Sequence, residues 1–164
     1  MDKRIVFMES IKLEVPGDYN SKGQLENFYK EHGQEFCFYD DSINDKNFGN
    51  VSYRLQPGEK CMVDIFIAKH RISSEYCISF LRKGKDKFFT SAPGLSLLWA
   101  IKRDKLPQGL IVSFDEKNNL WVNSDKVHGV ATLKNQGSSS EFFLGIFEDS
   151  WNEGTQLIRF RKND

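Results

Sequence analysis

Two acids and a lysine in this chain have the types needed for phosphate chemistry. Asp115-Glu116-Lys117 places a carboxylate one residue from a lysine at the end of an apolar run, and Asp64 interrupts the apolar face formed by Met62, Phe66 and Ala68. A carboxylate pair can hold a divalent metal while a lysine stabilises charge on a phosphate. A carboxylate in an apolar setting can also act as a base with a raised pKa. Plainer readings compete. Asp64 can pair with Lys69 or Arg82 across a hairpin, and Asp115-Glu116-Lys117-Asn118-Asn119 has the composition of a solvated turn. The plainer readings are preferred, so Asp64, Asp115 and Lys117 stand as candidates only, and no catalytic residue is assigned.

Charge offers a second set of candidates. The net charge is zero, yet residues 8–50 carry nine acids and four bases, and residues 69–105 carry nine bases and three acids. Two oppositely charged surfaces would steer partners, unless they face and neutralise each other. The features expected to touch a protein partner are the acidic loop with Asp40, Asp41 and Asp45, the basic turn with Arg82, Lys83 and Lys85, and Trp151 in a polar turn. The basic turn precedes Phe88 and Phe89, a mixture that also suits nucleic acid, although the neutral balance of the whole chain does not favour it.

Other signatures are missing. His32, His70 and His128 are scattered without metal-ligand spacing, and no glycine-rich phosphate loop or G-x-S-x-G nucleophile is present. No metal or cofactor is expected. Cys37, Cys61 and Cys77 are an odd number at wide spacing, which reads as reduced thiols used as small apolar groups; Cys37 and Cys77 are expected to be shielded. No apolar run reaches the roughly 20 residues needed to cross a bilayer, and the N-terminal apolar stretch is too short for a signal peptide. A cytoplasmic protein without membrane contact is expected.

The elements that must position these residues come from short Phe-rich runs. Residues 62–68, 75–81, 110–114, 141–147 and 156–160 alternate in the manner of strands with one packed face. Residues 4–15 form a further strand, and 36–39 and 51–55 shorter ones. Ser21-Lys22-Gly23-Gln24 has the form of a capping box ahead of a helix with Leu25, Phe28 and Tyr29, stopped by Gly33. Ser91-Ala92-Pro93 opens a second helix whose Leu95, Leu98, Trp99 and Ile101 face inward. Residues 40–50 have no apolar period and read as a mobile loop. Hairpins are expected for 63–81, for 110–122 and for 142–160, because short polar turns favour antiparallel neighbours.

The expectation is one α+β domain over residues 1–164, with two helices packed on a mainly antiparallel, curved sheet. A β-sandwich or barrel with decorating helices is the alternative. The functional expectation is a small interaction module without catalytic activity. The alternatives are a metal-dependent, nuclease-like enzyme on phosphate-containing substrates and a nucleic-acid-binding module.

Overall fold

The computed structural model describes residues 3–162. Most of the alternating runs join one mixed, mainly antiparallel sheet, which is not closed into a barrel. Its order is β1 (Ile5–Glu14), β3 (Lys60–Ala68), β10 (Gln156–Lys162), β6 (Gly109–Ser113), β7 (Gly129–Asn135), β8 (Glu141–Ile146) and β2 (Phe38–Tyr39). β5 (Lys87–Phe88) lies on β10, past the end of β6. Among the described residues only β10–β6 and β2–β8 are parallel. A small second sheet pairs β4 (Ile72–Ser73) with β9 (Ser150–Trp151). Three α-helices form among the described residues: α1 (Gln24–His32), α2 (Ser74–Leu81) and α3 (Ser91–Lys102).

Strand alternation gives the sheet two buried faces. Val63, Ile65, Ile111, Leu133, Ile158 and Phe160 pack with Leu25 and Phe28 of α1 and Leu95 and Leu98 of α3. Phe66, Ala68, Val112, Phe114, Val130 and Leu157 pack with Cys77, Ile78 and Leu81 of α2 and with Trp151. Burial of each such large side chain stabilises the fold by about 1.5–3 kcal/mol. Gly94 lets α3 approach the sheet, since a Cβ there would stand 2.9 Å from the Phe160 ring. β1 serves both faces because a bulge between Phe7 and Glu9 shifts its register. Phe7 lies opposite Phe66 on the α2 face, whereas Ile11 and Leu13 lie opposite Val63 and Cys61 on the α1–α3 face.

Three expected hairpins are replaced by other pairings. Residues 75–81 form helix α2, not a return strand. Ser73 decides this: its side chain accepts the backbone N–H of Tyr76 as an N-cap, and Ser74, Cys77, Ile78 and Leu81 then fall on one buried face. Residues 120–122 make only a single bridge, Val122 to His128, and β6 pairs with β7. β8 and β10 do not pair; β10 lies between β3 and β6.

Two smaller expectations also change. Residues 51–55 form no strand and bend at Ser52. Residues 40–50 are folded tightly over two apolar anchors, Ile43 and Phe48, with Asn47 donating to Ser42 O at 2.8 Å. A surface loop held by buried side chains and its own hydrogen bonds differs from the mobile loop the composition predicts.

Candidate functional site

The start of α1 and residues 40–46 are locked together by one residue. No side chain of the expected capping box satisfies the first turn of α1. Asp45 reaches in from the neighbouring loop, and its Oδ1 and Oδ2 accept the backbone N–H groups of Leu25 at 3.0 Å and Glu26 at 2.9 Å. A carboxylate there satisfies two orphan donors and suits the positive end of the helix dipole. Arg54 adds a clasp, donating to Ser21 O at 2.9 Å and Gly49 O at 2.6 Å.

This junction encloses a cleft of about 520 Å³ whose walls include Leu25, Glu26, Tyr29, Tyr39, Asp41, Ile43, Asp45 and Lys46. Its size suits a side chain or small ligand. Tyr29 and Tyr39 stand edge to face, centroids 5.0 Å apart and planes at 74°. Tyr29 is 56% exposed, although it borders the inward stripe of α1. The Tyr39 hydroxyl is buried without a hydrogen-bond partner. Burial, then the nearby Asp45 charge, pushes its pKa up, so it stays protonated and can donate.

The acids of the cleft have different duties. Asp45 is committed to the helix cap; Asp40, outside the cleft wall, accepts Ser42 N–H at 2.9 Å. Glu26 makes an exposed ion pair with Lys30 at 3.3 Å. The Asp41 carboxylate makes no hydrogen bond or ion pair among the described residues and is exposed. Three carboxylates against the single Lys46 ammonium make this an apolar, aromatic cleft with an acidic rim.

The residues with possible chemistry go elsewhere. Asp64 is 2% exposed and faces β10. It accepts Ser10 Oγ at 2.6 Å, Arg159 Nε at 3.2 Å and Arg161 Nε at 3.0 Å. Burial works to raise its pKa, but these bonds outweigh it and the net shift is downward. The partners are thus Arg159 and Arg161, not Lys69 or Arg82. Asp115 is fully buried and ties residue 52 to the end of β6. It accepts the Ser52 hydroxyl, Ser52 N–H at 2.9 Å and Glu116 N–H at 2.7 Å. Burial raises its pKa, and the bonds from Ser52 and Glu116 only partly oppose that. Lys117 turns to Glu148 at 3.7 Å and the Phe147 ring. Asp64 and Asp115 share no hydrogen-bond partner, and among the described residues no three His, Cys, Asp or Glu side chains could jointly hold a metal ion.

The other binding candidates divide. Arg82 pairs with Glu116 at 2.7 Å, while Lys83 and Lys85 are exposed. Phe89 is buried, and the half-buried Phe88 packs on Tyr53 and Phe160, so neither ring stands free beside the basic turn. Trp151 is 8% exposed, and its Nε1 donates to Ser74 Oγ at 2.7 Å. It lies over Gly145, where a Cβ would stand 2.5 Å from the indole. The indole is therefore a core group. Sequence reasoning placed Tyr29 in the core stripe and gave Tyr39 no role. The available signal was that Tyr29 directly follows Phe28, which turns it about 100° around the helix.

No protein-family model, curated protein or solved structure matches this chain. No helix among the described residues is long and apolar enough to cross a membrane.

Proposed function

We propose that this chain acts as a binding module without catalysis and that its contact is the cleft between α1 and residues 40–46. The observation that carries this reading is the Tyr29–Tyr39 pair beneath an acidic rim in which Asp41 is unpaired. Aromatic faces attract a cation by about 0.5–2 kcal/mol, and a rim carboxylate adds steering and a charge-assisted bond. The ligand that fits is a Lys or Arg side chain of a partner polypeptide, its stem on Leu25 and Ile43 and its charge toward Asp41. The two buried acids support a non-catalytic reading, since each is committed to bonds that hold strands or loops together. The free thiols Cys37, Cys61 and Cys77 suit the reducing cytoplasm, where we place the module.

Calorimetry with short peptides that differ only in a central Lys, Arg, Ala or Glu tests the reading. The Lys and Arg peptides are expected to bind at least tenfold more tightly than the Ala peptide, and the Glu peptide not at all. Equal affinities across the set would remove the cleft from consideration.

A further inference from the structure

The opposite face of the sheet carries a line of cations, of which only Arg161 has a carboxylate partner among the described residues. Lys12 lies opposite Met62, Met62 opposite Arg161, and Arg161 opposite Lys87, so one row crosses β1, β3, β10 and β5. At about 4.8 Å per strand the row is roughly 14 Å long. Like charges placed directly opposite, as Arg161 and Lys87 are, destabilise a sheet.

The next rows show how little carboxylate is available to offset this. On one side are Ser10, Asp64 and Arg159, where a single carboxylate serves two guanidinium groups. On the other side Glu14 and Lys60 lie opposite each other and cancel. Lys12 and Lys87 make no ion pair among the described residues. Asp64 holds Arg161 by its Nε, at 3.0 Å from each carboxylate oxygen, and the two Nη groups of Arg161 make no hydrogen bond among the described residues. A guanidinium fixed at Nε presents two parallel donors, the fork that matches a phosphate. The exposed Lys83 and Lys85 of the basic turn adjoin the Lys87 end of the row.

An aromatic group lies on the same face. Phe7 is 55% exposed, opposite Phe66 on β3, with the two rings edge to face at 5.7 Å. Arg159 covers the Phe66 ring at 4.7 Å, and Asp64 joins Arg159 to Arg161, so the path from Phe7 to Arg161 carries two guanidinium groups and one carboxylate.

We propose that this face binds single-stranded nucleic acid, with phosphates on Lys12, Arg161 and Lys87 and a base stacked on Phe7. Cations spaced along a line suit a chain of phosphates better than one isolated anion, and an exposed ring stacks on any base. Five of the acids that bring the whole chain to neutrality, Glu26, Glu31, Asp40, Asp41 and Asp45, lie on α1 and residues 40–45, across the sheet, so these do not quench the row. The site is independent of the α1 cleft, and either can fail without the other.

Fluorescence anisotropy of the full chain with a short labelled oligothymidylate tests the proposal. Binding is expected at low salt, with log affinity falling against log salt at a slope of about −2, the value for three phosphates on a single strand. Lys12→Glu and Lys87→Glu should each weaken binding at least tenfold, and Phe7→Ala about fivefold or more. Lys105→Glu, in the exposed turn after α3 across the sheet, should leave it unchanged. Lys12 and Phe7 are exposed and Lys87 is half-buried, so each variant is expected to melt near wild type, which melting curves check. Absence of binding at low salt would overturn the proposal, as would indifference to both charge reversals. Indifference to Phe7→Ala would reduce the contact to non-specific adsorption, and preference for phosphatidylserine vesicles over the oligonucleotide would assign the face to a membrane; either result overturns it.

Discussion

The Trp151 indole Nε1 donates to Ser74 Oγ at 2.7 Å across a fully packed region. That bond joins the first turn of α2 to β9, alongside the β4–β9 ladder and the Trp151 contact with Phe114. Trp151→Phe should cost about 1–3 kcal/mol, because the buried Ser74 hydroxyl loses its donor. Trp151→Ala should cost about 3–5 kcal/mol by adding a cavity. Urea unfolding measures both. A loss below about 1 kcal/mol for Trp151→Ala would mean that the indole is not packed as described.

Asp64 and Asp115 should respond to pH in opposite directions. The folded-state pKa of Asp64 is lowered, so its stabilising contribution is full above the ordinary value of about 3.9 and is lost as pH falls through the folded value. The cost of Asp64→Asn should therefore grow from pH 3 to pH 6. The folded-state pKa of Asp115 is raised, so stability is lost as pH rises through that folded value. Asp115→Asn should accordingly improve relative to wild type over the rise. Denaturant midpoints at several pH values give both trends, and parallel trends would contradict the two environments.

These two acids also show what was legible in the chain. That Asp64 lies within a packed strand followed from its neighbours Val63, Ile65 and Phe66. Its partners did not, because Arg159 and Arg161 come from a strand 95 and 97 residues away. The same limit hid the sheet order: local turns suggest pairing of successive strands, whereas β10 inserts between β3 and β6. Residues 75–81 fit both periods, since Tyr76, Ile78 and Phe80 alternate while Cys77, Ile78 and Leu81 share a helical face. The Ser73 cap settles that choice in favour of the helix. The cleft was half visible. The acids of residues 40–45 stood out by charge and Tyr39 directly precedes them, but Tyr29 joins them through the Asp45 cap, which acts over 20 residues.

The thiols should divide into two classes. Cys61 and Cys77 are buried, and burial pushes each pKa up to about 12. Cys37, expected from its Phe neighbours to be shielded, is exposed, with its sulfur 3.2 Å from Ser139 O. Thiol titration of the native protein should show one fast group and two slow ones, and three after denaturation. Cys37→Ser should abolish the fast phase. Rapid labelling of Cys77 would show that α2 opens readily from the sheet.

Asp45 should matter to stability first and to binding second. Asp45→Ala removes two charge-assisted caps from α1 and is expected to cost about 1–2 kcal/mol. Asp41→Asn touches no internal bond and should leave the melting temperature within a degree or so. If Asp45→Ala were equally silent in thermal unfolding, the cap would contribute nothing to joining the loop and α1.

The most direct measurement of the central claim is the backbone amide spectrum of the labelled protein during titration with the Lys-centred peptide. Shifts are expected to concentrate at Tyr29, Tyr39, Asp41 and Ile43, with saturation lost in Tyr29→Ala and largely retained in Tyr29→Phe. Asp41→Asn should weaken the affinity several-fold without moving the site. A spectrum in which these amides stay still while the peptide binds elsewhere, or in which Tyr29→Ala binds as well as wild type, would contradict the account.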